Sequence, residues 1–248
     1  PGSPLEAVIG SEVVRAPKLR VDRRVPIEIA PPLRGAGWVN ANGCCDDPTA
    51  NHRSTILSVN GNYVGIETFA VDYIRVVDGR FYAGDGTQNT DWFGYGVPIH
   101  SVADGRVVST LDGRPEVPPF IVDNPTLTSP SDFCGNGVVV KIARGQFAHY
   151  CHMQPGSVRV EVGDRVRSGA KLGLFGDSGN TDGPHLHFGI QDGRDTLTST
   201  SLPFEIDRFR LEGTAAPGQA PGELTVTGTP GAERRSHPLV TSVSDYSR

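Results

Sequence analysis

The stretch GDSGNTDGPHLHFGI, residues 176–190, joins a glycine-rich turn to a short alternating segment that carries two histidines. His185 and His187 are two residues apart, so on a strand their side chains point to the same face, about 6.5–7 Å apart. One imidazole can then bind a metal ion while the other lies just beyond it, near a bound water. The tight turn would hold this strand in a fixed position. The plainer interpretation is a pair of surface histidines with no shared role.

Strand signals continue on both sides of this stretch, and no long helix pattern is visible. Short apolar or alternating runs bounded by turn residues predict strands, and they cover residues 54–59, 63–76, 97–99, 104–108, 138–142, 147–152, 160–166 and 172–175. Asn60-Gly61 is a strong hairpin turn. Residues 113–134 contain five prolines and predict a long loop that borders a cleft. We therefore predict an all-β fold, an antiparallel sheet or sandwich with long loops around a groove.

His152 is the best candidate to share a site with the His185–His187 pair. It closes the predicted strand 147–152, whereas His149 points to the opposite face of that strand. We expect His149 to pack in the interior or to be solvated. His100 and His237 have no partner pattern in the sequence.

Composition excludes several classes of function. The chain has 31 glycines, 20 prolines and one methionine, which suits short strands and tight turns. Its net charge of −5 comes without a dense basic block, so we expect no nucleic-acid partner. No apolar run reaches the roughly 18 residues that span a bilayer, so we expect no transmembrane segment. The chain begins at Pro1, which we interpret as a processed or truncated product.

Four cysteines, Cys44, Cys45, Cys134 and Cys151, form no CxxC pair. A structural zinc knuckle is therefore not predicted. We expect two disulfides formed in an oxidising compartment, with buried free thiols as the alternative. Adjacent cysteines rarely bond to each other, so Cys44 and Cys45 would each reach Cys134 or Cys151. The sequence leaves the pairing open.

The chain divides into three predicted parts. Residues 1–36 predict an N-terminal arm of short edge strands that ends in Pro31-Pro32. Residues 37–212 contain the dense strand signals and the histidines. Residues 213–248 begin with a stretch rich in Gly, Ala, Pro and Thr, which predicts a flexible C-terminal tail.

Several motifs in a fixed order give the chain a family resemblance. They are Gly105-Arg106-Val107-Val108, then residues 149–153, then 162–166 with Gly169 and Gly173, then 176–180 and 184–188. This order over residues 94–190 resembles the lysostaphin-type (LytM-like) zinc peptidases. The resemblance implies their all-β, duplicated-hybrid-motif fold. It also implies that His187 binds zinc, and that His152 and His185 act on the zinc-bound water and the developing oxyanion.

The first two zinc ligands depart from the family pattern, which supplies them from a compact His-x-x-x-Asp. This sequence has no such motif, and the candidates are His52 and Asp72, twenty residues apart. A hairpin centred on Gly61 would place His52 opposite Ala70, with Asp72 as a diagonal neighbour about 7–8 Å away. We predict that His52, Asp72 and His187 bind one Zn²⁺ per chain, with these ligands split across the hairpin.

The predicted function is that of a zinc endopeptidase. Two histidines, one carboxylate and an open position describe a catalytic zinc site. The resemblance implies peptidoglycan cross-bridges or stem peptides as substrate. It also implies a secreted, periplasmic or cell-surface location in a bacterial envelope.

Three alternatives remain. A degenerate LytM-like domain would bind cell wall or protein partners without cutting. The segment 160–173 also resembles biotinyl and lipoyl carrier domains, with Lys171 as the modified lysine. The acidic and methionine residues that usually flank such a lysine are missing. The third alternative is a serine hydrolase, but Ser178 and Ser101 lack the Gly-x-Ser-x-Gly elbow of those enzymes.

Overall fold

The computed structural model describes residues 6–9, 12–15, 25–45, 50–121 and 124–246. Among the described residues strands far outnumber helices, so the predicted all-β class is confirmed. Within the predicted N-terminal arm, residues 1–5, 10–11 and 16–24 lie outside the described residues. In the described part of the chain, no helix is long and apolar enough to cross a membrane.

The strands follow one another along the whole described chain. They are β1 (Glu6–Ile9), β2 (Glu12–Arg15), β3 (Ile27–Ile29), β4 (Gly35–Asn42), β5 (Ile56–Val59), β6 (Asn62–Gly65), β7 (Val71–Arg75), β8 (Pro98–His100), β9 (Gly105–Leu111), β10 (Asn136–Ala143), β11 (Gln146–Met153), β12 (Arg165–Val166), β13 (Lys171–Leu174), β14 (Leu186–Gln191), β15 (Ser201–Leu202), β16 (Phe204–Pro217), β17 (Leu224–Thr227), β18 (Gly231–Ser236) and β19 (Ser242–Tyr246). The helical elements in the described ranges are one short α-helix and two 3₁₀ turns, which are α1 (Asn51–Ser54), Asn89–Asp91 and Pro130–Asp132.

One large sheet organises the molecule. Its main path runs β12-β9-β10-β11-β14-β7-β4-β19-β16-β17, while β15 pairs with β14, and β3 and β18 pair with β16. Its pairings are antiparallel except for β3 with β16. The β13–β8 ribbon contributes buried Leu172 and Ile99 to the same core as the large sheet. Most of the largest buried side chains are aromatic, among them Trp38, Tyr73 and Phe188.

The predicted turn at Asn60-Gly61 is present, and Val59 pairs with Asn62. The hairpin stops there, however. β5 and β6 pair only with each other, whereas Ala70 precedes β7, which joins the large sheet between β4 and β14. His52 lies on α1, so the expected strand pairing of His52 with Ala70 is wrong. The alternating pattern identified the turn but did not show where the pairing ends.

The predicted strand over 160–166 forms only at Arg165–Val166. Gly163 has a φ of +105°, and Val162 is exposed, so this part of the segment turns instead of pairing.

The C-terminal region also differs from the expected flexible tail. β16 extends to Pro217, and β17, β18 and β19 all join the large sheet. β19 lies between β4 and β16, and it buries Val243 and Tyr246. Burial of these two side chains stabilises the segment. The stretch before β19 is rich in glycine and proline, so composition alone predicted a flexible tail.

Cysteine pairing differs from the expectation as well. Cys134 and Cys151 form a disulfide with their Cα atoms 4.8 Å apart, and Cys44 and Cys45 pair with each other. Cys134 therefore joins the end of the long loop to β11, directly before His152. Neither Cys44 nor Cys45 bonds to this pair; Cys134 lies just before β10, and its carbonyl accepts a hydrogen bond from the His152 amide of β11.

We predict that the double variant Cys134→Ser/Cys151→Ser loses about 3 kcal/mol of unfolding free energy, the value typical of a loop of roughly 15 residues. The separation here is 17 residues. Guanidinium unfolding of the wild-type and variant proteins measures the loss. An unchanged midpoint would show that the crosslink does not stabilise the fold.

Candidate active site

Five residues predicted from the sequence line one cavity of about 490 Å³. They are His52, Asp72, His152, His185 and His187. The long proline-rich loop also lines this cavity, through Ile121, Asn124, Leu127 and Phe133. The predicted loop at the edge of a groove is therefore present, and the five side chains share a single space.

Asp72 and His187 are brought together by the large sheet itself. They are direct partners in the antiparallel register of β7 and β14. His187 Nδ1 lies 2.9 Å from Asp72 Oδ1. His185 lies just before β14, and its Nε2 is 3.6 Å from the same Asp72 oxygen. The Asp72 carboxylate is thus shared by both members of the His-x-His pair.

His52 approaches Asp72 from outside the sheet. Its Nε2 lies 3.0 Å from Asp72 Oδ2, and its ring centroid is 5.0 Å from that of His187. Its Nδ1 lies 3.1 Å from the Ala70 carbonyl oxygen. A carbonyl only accepts, so Nδ1 carries a hydrogen, and Nε2 is the ring atom that faces the Asp72 carboxylate and can exchange its proton for a metal ion. This orientation by a backbone carbonyl is typical of metal-binding histidines.

His152 and His185 are held in the same way. His152 Nδ1 donates to the Ser178 carbonyl at 2.7 Å, and His185 Nδ1 donates to the Gly183 carbonyl at 2.9 Å. Both carbonyls belong to the glycine-rich turn 176–183. The two rings lie with their centroids 4.5 Å apart. In each ring Nδ1 is therefore occupied by a backbone carbonyl, and Nε2 is the nitrogen that remains for contacts in the cavity.

The turn itself is anchored by buried polar contacts. The Ser178 hydroxyl donates to the Met153 carbonyl at 2.7 Å and accepts from the Asn136 amide at 2.9 Å. Gly135 packs so closely that an added Cβ would lie 2.2 Å from Ser178 O, and its φ is +61°. Only glycine fits this contact without displacing the turn.

His152 also adopts an unusual backbone conformation, with a φ of +65°. Few non-glycine residues occupy this region. The His152 amide donates to the Cys134 carbonyl at 2.9 Å, so the disulfide segment holds the strained residue in place. Strained residues of this kind concentrate at functional sites.

The charges in the cavity are strongly coupled. Burial lowers the pKa of His52, but the charge and hydrogen bond of Asp72 outweigh it and raise that pKa to about 9. Burial raises the pKa of Asp72, yet the charges of His52 and His185 hold it well below its usual range. Burial and the nearby His185 and His187 hold the pKa of His152 well below its ordinary value. Without a bound cation, Asp72 is ionised, His52 is protonated and His152 is neutral.

His149 points away from this cluster. Its Nε2 lies 2.9 Å from the Gly193 carbonyl oxygen and its Nδ1 3.2 Å from the Thr196 hydroxyl. Burial lowers its pKa to about 4. His149 is therefore packed on the opposite face of β11, as its position in the strand predicts.

Glu67 is a further member of the site that the sequence did not reveal. One carboxylate oxygen of Glu67 and one ring nitrogen each of His52 and His187 all lie within 4.8 Å of one another. Glu67 lies between β6 and β7, where no alternating pattern assigns it a face. Its proximity in the chain to Asp72 is the one signal that could have pointed to it.

Comparison with known proteins agrees with the sequence resemblance. Residues 88–199 match Peptidase family M23. The peptidoglycan DD-endopeptidase ShyA of Vibrio cholerae is 28% identical over 93 residues, which cover 38% of this chain and 17% of that protein. An uncharacterized metalloprotease of Buchnera aphidicola is 26% identical over 95 residues, or 38% and 20% of the two chains. The matched segment thus spans about a fifth of these curated relatives.

Among solved structures, the catalytic domain of the prophage-encoded M23 protein EnpA from Enterococcus faecalis aligns with a TM-score of 0.40 and 20% identity, over 70% of this chain and 92% of that one. The catalytic domain of the antimicrobial peptidase lysostaphin from Staphylococcus simulans aligns with a TM-score of 0.37 and 18% identity, over 67% and 88%.

The M23 match includes His152, His185 and His187, whereas His52 and Asp72 precede it. The metal-binding and catalytic roles of these five residues remain predictions. Residues 88–199 match Peptidase family M23, and this match confirms the resemblance to lysostaphin-type peptidases.

Proposed function

We propose that this chain is a zinc-dependent endopeptidase that hydrolyses peptide bonds in peptidoglycan cross-bridges or stem peptides. One observation carries the proposal. His52 Nε2, the Asp72 carboxylate and His187 Nδ1 converge in a cavity that His152 and His185 also line. The peptidoglycan substrate is supported by the activity named for the Vibrio cholerae relative.

The donor set fits the proposed metal ion. Two imidazole nitrogens and one carboxylate are a common set of protein ligands for catalytic zinc. The orienting contact from the Ala70 carbonyl to His52 supports the same role. His52, Asp72 and His187 would hold the ion. When bound, zinc lowers the pKa of water to about 7 and polarises the scissile carbonyl.

His152 and His185 would carry the proton transfers. Their Nδ1 atoms are committed to backbone carbonyls, so a proton can be gained or lost only at Nε2. One Nε2 accepts the proton of the attacking water, and the resulting imidazolium can donate it to the leaving amine. The other ring, 4.5 Å away between centroids, can donate a hydrogen bond to the developing oxyanion once it is protonated.

A location outside the cytoplasm is part of the same proposal, whether secreted, periplasmic or at the cell surface. The Cys134–Cys151 disulfide supports it, because disulfides persist mainly in oxidising compartments.

Elemental analysis tests the metal site. We expect about one zinc ion per wild-type chain, and almost none in His187→Ala or Asp72→Ala, because each removes a donor. His237→Ala is the matched control, since that imidazole lies outside the cavity, with its Nδ1 3.0 Å from the Phe204 carbonyl oxygen and its ring against that of Phe204. A wild-type protein purified without metal and unable to take up zinc would favour the alternative, a degenerate domain that binds cell wall or protein without cutting.

Digestion of purified peptidoglycan tests the substrate. We expect mass spectrometry to find new peptide amino termini, their release to stop with a zinc chelator, and added zinc to restore it. Release of sugar fragments alone, or release that a chelator leaves unchanged, would contradict the proposed reaction.

The proton-transfer roles predict a separate phenotype. His152→Ala and His185→Ala should each lower kcat/KM about 10²- to 10⁴-fold while retaining zinc, because neither is a proposed ligand. Steady-state hydrolysis of a cross-bridge peptide and zinc content measured on the same samples separate the two effects. Loss of zinc in either variant would reassign that histidine to the metal.

A further inference from the structure

Glu67 is a buried carboxylate beside the proposed metal ligands, and its side chain is only 7% exposed. It lines the same cavity as His52 and His187, with the ligand atoms of all three residues inside 4.8 Å. Glutamate is almost never this buried without a compensating charge. Its charge acts on His52, together with that of Asp72.

The backbone around Glu67 is fixed to the large sheet. The Ile66 carbonyl accepts a hydrogen bond from Gln191 Nε2 at 2.8 Å, and the Phe69 amide donates to Ser201 Oγ at 3.0 Å. Gln191 ends β14, the strand that carries His187. The position of the Glu67 carboxylate is therefore set by the same strand that positions a proposed ligand.

Charge balance supports a role for the Glu67 carboxylate beside the metal ion. A divalent ion held by two neutral imidazoles and the Asp72 carboxylate alone would leave one uncompensated positive charge in a largely buried site. A second carboxylate brings the sum to zero, and buried charges need such compensation.

We propose that Glu67 is a fourth protein ligand of the metal ion in the substrate-free protein. The inference rests on the proposed zinc site formed by His52, Asp72 and His187. Four protein ligands complete a tetrahedral site, whereas catalysis needs an open position. Glu67 must then move aside, or the coordination number must rise, when substrate binds.

Zinc affinity of Glu67→Gln tests the inference, because the amide keeps the shape of the side chain and removes its charge. Competition with a chromophoric chelator should show zinc binding weakened at least about 100-fold, beyond the roughly 10- to 100-fold typical of an outer-shell contact. The visible absorption of the cobalt(II)-loaded protein should change as well, because it reports the ligand set directly. Asp182→Asn is the matched control, since this exposed carboxylate lines the same cavity.

The outcomes separate this inference from the proposed function. Wild-type zinc affinity and an unchanged cobalt spectrum in Glu67→Gln would overturn the role of Glu67, while loss of zinc in His187→Ala would still support the three-ligand site. A wild-type protein that binds neither metal would overturn both proposals. If Glu67→Gln does not fold, Glu67→Asp carries the test. Its shorter carboxylate should shift the cobalt spectrum and weaken zinc binding, and no change in either would overturn the inference.

Discussion

The contact between Asp72 and His187 is the constraint on which the rest of the site depends. Both residues lie on neighbouring strands near the middle of the large sheet, and the antiparallel register of β7 and β14 places them directly opposite each other. A shift by one residue would turn one side chain to the other face of the sheet. The pairing of two buried strands therefore fixes the distance between the carboxylate and the imidazole before any ligand arrives.

Backbone carbonyls set the protonation of the remaining histidines. Ala70, Ser178 and Gly183 each accept a hydrogen bond from the Nδ1 of a different histidine. Nε2 is thereby the nitrogen at which each of the three rings can gain or lose a proton, and all three rings line one cavity. A rigid turn can do this because its carbonyls cannot rotate as a side-chain acceptor can.

Placing charge in this cavity carries a cost. Carboxylates and imidazoles lie beside a sheet whose other large side chains are aromatic and apolar. Without a cation, the ionised Asp72 carboxylate pairs with a protonated His52. This ion pair raises the pKa of His52. A divalent ion would replace that proton and satisfy the carboxylate more fully, because the binding of a metal and the release of a proton are coupled.

The sequence by itself determined the short-range features of this protein. Alternation and turn residues predicted the all-β class and the turn at Asn60-Gly61, and the two-residue spacing of His185 and His187 predicted a shared face, because all of these depend on neighbours in the chain. Only the tertiary structure decided that His52 comes from a helix, that Glu67 joins the cluster, and that the C-terminal segment completes the sheet. Each of those outcomes depends on contacts between residues that are far apart in the chain, and a local sequence pattern does not specify such contacts.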